Sequence, residues 1–146
     1  MAADRGSELV LLDTNVFVSA IKDPAKETDT FRLLVRILRS DDVLLVGNEV
    51  LVREYLRYAE AFPSPTAAAL AASLVERTQL VHVEDRFLRA CAPYVPAERA
   101  ADRLHAATCL QTGAALVSND RHVRSLRAAG VVEVLTTSEA IRRWLP

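Results

Sequence analysis

Five short apolar runs, rich in leucine and β-branched residues, decide what this chain can fold into. They are LVLL ending at Leu12, VLLV ending at Val46, LVHV ending at Val83, AALV ending at Val117 and VVEVL ending at Leu135. A strand with one wet face alternates apolar and polar side chains, whereas a strand covered on both faces does not. The near-continuous runs therefore read as parallel strands lying between helical layers. Helical signals fill the intervals. Phe31 to Arg39 and Glu49 to Glu60 are amphipathic at the helical period, and the stretch after Asp13 restarts as an apolar helical pattern. Ser64-Pro65 supplies a cap and a first-turn proline. A helix is expected from about Ala97 to Gln111, stopped by Gly113, and another from Arg121 to Ala129, stopped by Gly130. Thr136 and Glu139 have capping-box spacing for a last helix. Strands alternating with helices predict an α/β domain with a mainly parallel sheet. Phe62-Pro63-Ser64-Pro65 reads as a turn between helices, so a single domain is expected over residues 1–146.

A chain of 146 residues, 51% apolar and 25% charged, can bury a core without disulfide or metal staples, which excludes a disordered class. The formal net charge of -1 provides no global field for coating nucleic acid, though a local site stays open. Lys22 and Lys26 are the only lysines; the other basic residues are arginines. Cys91 and Cys109 have no metal-ligand or redox spacing and are expected to be free thiols. The N-terminal MAADRGSE is polar, and the apolar run after it is cut by Asp13. Neither a secretory signal nor a membrane span is expected, and the expected location is cytoplasmic.

Ligands of such folds bind at the carboxyl ends of the strands, near the switch in strand order. That rule sorts the acidic residues. Asp13 ends the first strand, and Asp120 follows the fourth after Ser118-Asn119. Asp102 lies early in the helix that runs back antiparallel to the fourth strand, so it begins at the same edge. Glu54 lies in the second turn of the helix after the second strand. It falls outside the polar face formed by Glu49, Arg53, Arg57 and Glu60, at the margin of the apolar one. Singly, each has a plain structural explanation, such as a helix cap for Asp120 or a favourable first-turn charge for Asp102. Four converging on one edge cannot all stay ionised without a cation. All-oxygen ligation points to Mg²⁺ or Mn²⁺ rather than zinc. His105, one turn from Asp102, and His82 have no second histidine at ligand spacing and read as core or surface residues. His122 is close enough to Asp120 to touch a substrate.

Three segments, LLDTNVFVSAI, VGNEVLVREYLRYAE and ADRLHAATCLQTGAALVSND, together resemble the PIN-domain ribonucleases, and most of all the VapC-type toxins and related toxin components of toxin-antitoxin pairs. The resemblance covers nearly the whole chain in the right order, except about Pro63 to Arg99, where the family varies. It implies a three-layer α/β/α sandwich around a five-stranded, mainly parallel sheet. The family's acidic quartet falls on Asp13, Glu54, Asp102 and Asp120, as metal ligands and catalytic residues, and Thr14, Asn15, Ser118 and Asn119 match positions that support the site by hydrogen bonding.

The reaction implied by the resemblance is metal-assisted hydrolysis of RNA phosphodiesters. Arg121 and Arg124, beside Asp120, are candidates for contacts to the RNA backbone, with a solvated basic face as the plain alternative. The resemblance further implies a small antitoxin protein as partner and a homodimer. Alternatives are an RNA-processing PIN nuclease with no antitoxin, or a catalytically idle module binding RNA or protein. A phosphatase using Asp13 as nucleophile wants a second aspartate two residues on, where this chain has Asn15.

Overall fold

A computed structural model describes residues 7–23 and 26–146, so most of the polar N-terminal stretch lies outside the described residues. The sequence Val10-Leu11-Leu12 is buried at every position, which explains the absence of alternation: both faces of this strand are covered. That strand, β1 (Glu8–Leu12), is central. It pairs on one side with β2 (Val43–Gly47), in register Leu9↔Leu44, and on the other with β4 (Ala115–Val117), in register Leu11↔Leu116. β3 (Thr78–Leu80) adds beyond β2, and β5 (Val134–Leu135) beyond β4. The order is β3-β2-β1-β4-β5 and every pair is parallel. The expected five-stranded parallel α/β architecture is therefore the one observed.

Helices connect the strands: α1 (Thr14–Ile21) and α2 (Asp29–Arg39) after β1, α3 (Glu49–Ala61) and α4 (Pro65–Arg77) after β2, α5 (Asp85–Cys91) and α6 (Ala100–Thr112) after β3, α7 (Arg124–Ala128) after β4, and α8 (Thr137–Trp144) last. Right-handed crossovers place the helices of leftward and rightward connections on opposite faces. In keeping with that, α2 packs on α1 and α8, and α3 on α4, while α5 packs on α6. The chain leaves β1 for β2 on one side and returns past it to β4 on the other. The carboxyl ends of β1 and β4 thus flank the switch point. Side-chain caps fix several helix starts: Asp13 for α1, Asn48 for α3, Ser64 for α4 and the Thr136–Glu139 capping box for α8. Gly113 ends α6 in the left-handed region at φ 80°, as its position in the sequence predicts.

Several expected boundaries shift. LVHV belongs to the strand only at Leu80; β3 begins two residues earlier, and Val81 still donates to the Gly47 carbonyl at 2.8 Å. Beyond it, Gln111 captures the His82 carbonyl and the Glu84 amide at 3.0 Å each, taking the place of a ladder partner. α6 starts at Ala100 rather than Ala97 because a turn closes first, Arg99 N to the Pro96 carbonyl at 3.0 Å. The expected helix after Asp120 begins as a 3-10 turn, Arg121–Val123, before α7. α5 was not foreseen: it is only seven residues long and has no side-chain cap. Cys91 and Cys109 are buried free thiols. Among the described residues, no helix is long and apolar enough to cross a membrane.

Candidate functional site

Asp13 is a charged residue with 6% of its surface exposed, between two apolar elements. Its backbone amide still follows the sheet, donating to the Val117 carbonyl at 3.0 Å, while its side chain caps α1 by accepting from Thr14 N at 2.8 Å. Ser118 Oγ donates to Oδ2 at 2.7 Å, and Asn15 Nδ2 lies 3.3 Å from the same oxygen. Burial pushes the Asp13 carboxyl above the ordinary aspartate value, against the hydrogen bonds from Ser118 and Thr14.

Ser118 and Asn15 join the ends of β1 and β4. Asn15 Nδ2 also reaches Ser118 Oγ at 3.2 Å, and its Oδ1 lies 3.3 Å from Asn119 N. Ser118 Oγ accepts from Asp120 N at 3.1 Å, so one hydroxyl ties Asp13 to Asp120. Asn119 turns away from the acids and clamps α8, donating to Thr137 Oγ1 at 2.6 Å and accepting from Thr137 N at 2.9 Å. Thr14 Oγ1 is buried with no hydrogen-bond partner among the described residues, yet lies near enough to Glu54 to favour its charged form.

Asp102 occupies the first turn of α6 and Asp120 caps the 3-10 turn after β4. One ligand atom from each, together with one from His122, falls within 4.8 Å. Arg99 spans the pair, Nε 3.3 Å from Asp102 Oδ2 and Nη2 3.1 Å from Asp120 Oδ2. His122 Nδ1 lies 2.6 Å from Asp120 Oδ1 and 2.9 Å from Arg99 Nη2. That nitrogen cannot both donate to the carboxylate and accept from the guanidinium; the shorter contact to an anion makes it the donor. Burial raises the Asp102 carboxyl above its ordinary value, helped by repulsion from Asp13 and Asp120 and opposed by Arg99. For Asp120 burial acts the same way, but hydrogen bonds from His122 and the charge of Arg99 outweigh it and hold the group low.

Glu54 stands apart from that pair, with Oε1 2.9 Å from Nε2 of the buried His105. Burial raises it most strongly, but hydrogen bonding to His105, the nearby Thr14 hydroxyl and nearby positive charge together outweigh burial, so it titrates below the ordinary glutamate value. Beside it, the Tyr55 hydroxyl donates to the carbonyl of Leu12, fastening α3 to the end of β1. Arg121 and Arg124 are both exposed.

The structure thus brings Asp13, Asp102 and Asp120 to one edge, with Glu54 electrostatically coupled to Asp13. Two further groups hold the acids: Arg99, which the sequence reading does not single out, and His105, which it reads as a core or surface residue and which is buried against Glu54. Arg99 lies three residues before Asp102, a spacing that places the two side by side and is the signal for it in the sequence. The donor set suits a hard divalent cation. Oxygen ligands dominate, two of the aspartates are disfavoured as lone anions, and a buried hydroxyl lacks a partner.

The model of the PIN domain matches residues 10–129. Among solved structures, VapBC2 from Rickettsia felis bound to a DNA fragment from their promoter gives a TM-score of 0.59 at 13% identity, covering 88% of this chain and 98% of that one. FitAcB from Neisseria gonorrhoeae gives 0.58 at 20% identity, covering 88% and 98%, and FitAB bound to an IR36 DNA fragment gives 0.55 at 23%, covering 88% and 94%. At these identities the structures establish a shared fold. No curated protein matches the sequence.

Proposed function

The chain belongs to the PIN domain family, and on that footing we propose that it is a divalent-metal-dependent endoribonuclease. The observation that carries this reading is the Ser118 hydroxyl, which joins the buried Asp13 to Asp120 at the switch point while Asp102 faces the same edge. Asp13, Asp102 and Asp120 would hold Mg²⁺ or Mn²⁺, with Glu54 completing the acidic set. Such an ion supplies a water of lowered pKa and neutralises charge developing on a phosphodiester. Thr14, Asn15, Ser118 and Asn119 orient this set: Asn15 and Ser118 fix Asp13, and Asn119 anchors the loop to α8. Arg121 and Arg124, exposed next to Asp120, hold the RNA backbone without reading its sequence.

A toxin role with a small antitoxin partner is the finer part of the proposal. It is supported by the likeness to VapBC2 and FitAB, which are described as complexes on DNA. Self-association as a homodimer and action in the cytoplasm accompany that role. Incubating the purified protein with an RNA panel, with and without Mg²⁺ or Mn²⁺, tests the activity. Cutting that needs the ion supports it, and hydrolysis of phenyl phosphate but not RNA contradicts it. Growth arrest on induced expression, relieved by Asp13→Asn, tests the toxin role separately.

A further inference from the structure

Three buried polar side chains, Asn48, His105 and Thr108, lie where α3 meets α6, in surroundings where each polar atom must be satisfied. Asn48 caps α3, and its Oδ1 faces Leu51 N at 2.9 Å. A backbone amide only donates, so that Asn48 atom is the oxygen and the other end is the NH₂ group. Nδ2 lies 3.0 Å from Thr108 Oγ1 and 3.1 Å from His105 Nδ1. The Thr108 proton is already given to the Leu104 carbonyl at 2.8 Å, so Thr108 accepts from Asn48. The second amide proton then points at His105 Nδ1, which must be bare. The ring proton resides on Nε2 and is donated to Glu54 Oε1 at 2.9 Å.

We propose that His105, fixed by Asn48 as the neutral Nε2–H tautomer, is the positioning residue that orients Glu54 in the acidic site. This rests on the metal-dependent reading above. Glu54 is on a long side chain at the sheet edge, and a buried donor removes its rotational freedom. A neutral donor does so without neutralising the carboxylate, whereas an imidazolium would compete with a cation for it. An aspartate would cap α3 as well as Asn48 does. The amide also donates to the ring, which a carboxylate cannot, and this gives the choice of asparagine over aspartate a reason beyond the cap.

Two measurements test this, neither using RNA. Nitrogen NMR of labelled histidine in the full-length chain, with His105 assigned by its loss in His105→Gln, reads the tautomer. The expected result is a protonated Nε2 and a bare Nδ1. A protonated Nδ1, alone or with Nε2, overturns the proposal. In Asn48→Asp the α3 cap is kept but the donor becomes an acceptor, and Nδ1 is expected to become protonated while Nε2 keeps its proton toward Glu54. Titration with Mn²⁺ supplies the second readout. His105→Leu is expected to weaken binding by about 10–100-fold, and His105→Gln, whose amide reaches the place of Nε2, to recover most of that loss. Equal affinities for the Leu and Gln variants overturn the assignment. Failure of the wild type to cut RNA would overturn the ribonuclease reading alone.

Discussion

Arg99 stands between Asp102 and Asp120, with Nε 3.3 Å from one carboxylate and Nη2 3.1 Å from the other. In the metal-free chain this guanidinium is the counter-charge for two acids that otherwise repel each other. A divalent ion bound between the two acids, as proposed, would have to share those carboxylates with it.

Arg99→Gln is therefore expected to tighten Mn²⁺ binding by about tenfold, equivalent to ~1.4 kcal/mol, while lowering the stability of the metal-free protein. Calorimetric titration beside a thermal melt checks both. Unchanged or weaker Mn²⁺ binding would show that Arg99 does not compete for the site.

Asp13 and Asp102 titrate above the ordinary aspartate value of 3.8, burial being the first cause for each. Their contribution to stability is fully present below the unfolded value and is lost as pH rises through the folded values. Glu54 and Asp120 are held low, so their contribution is present above the unfolded values and lost only as pH falls through the folded ones. The windows do not coincide, and Asp102→Asn isolates the first. In metal-free buffer its Tm, relative to wild type, is expected to climb as pH rises from about 4 toward neutrality. A constant difference across that range would contradict the assignment.

Added metal should act in the opposite sense. At about 100 times its dissociation constant a bound ion adds ~2.7 kcal/mol, which raises the Tm of a chain this size by about 5–10 °C. Asp102→Asn is expected to lose most of that rise. Melts with chelator and with Mn²⁺ compare the two, and an equal rise in both proteins would remove Asp102 from the ligand set.

Gly47 closes β2 just before Asn48, and a Cβ built there would lie 2.8 Å from Thr78 Cγ2 and 2.9 Å from Leu51 Cδ2. Gly47→Ala is therefore expected to destabilise by ~1–3 kcal/mol through overpacking. A urea melt checks this, and an unchanged or raised midpoint would mean that the junction has slack.

Strand ends were the most legible part of the sequence. Asp13 and Asp120 follow apolar runs, and the rule that ligands gather at carboxyl edges places them together from the sequence alone. The capping motifs were legible too, since Ser64 and the Thr136–Glu139 pair act within a few residues of themselves. What depended on distant partners was not. LVHV looks like a strand, but its end is held by Gln111 from α6, and nothing local announces that. His105 read as an unassigned core or surface histidine because its partners, Asn48 and Glu54, lie more than fifty residues away. α5 is short and uncapped, so neither periodicity nor cap chemistry marks it.

The proposed role of buried Asp13 is to serve a divalent ion in cutting RNA. The direct measurement is the rate at which wild type and Asp13→Asn cleave an end-labelled RNA panel, each with chelator and with saturating Mn²⁺. Cleavage by wild type is expected only when the ion is present. A loss of about 100-fold or more is expected in the variant, from the several kcal/mol a ligated metal supplies, with cooperative melting retained. Equal cleavage in chelator, or by Asp13→Asn, would contradict that role.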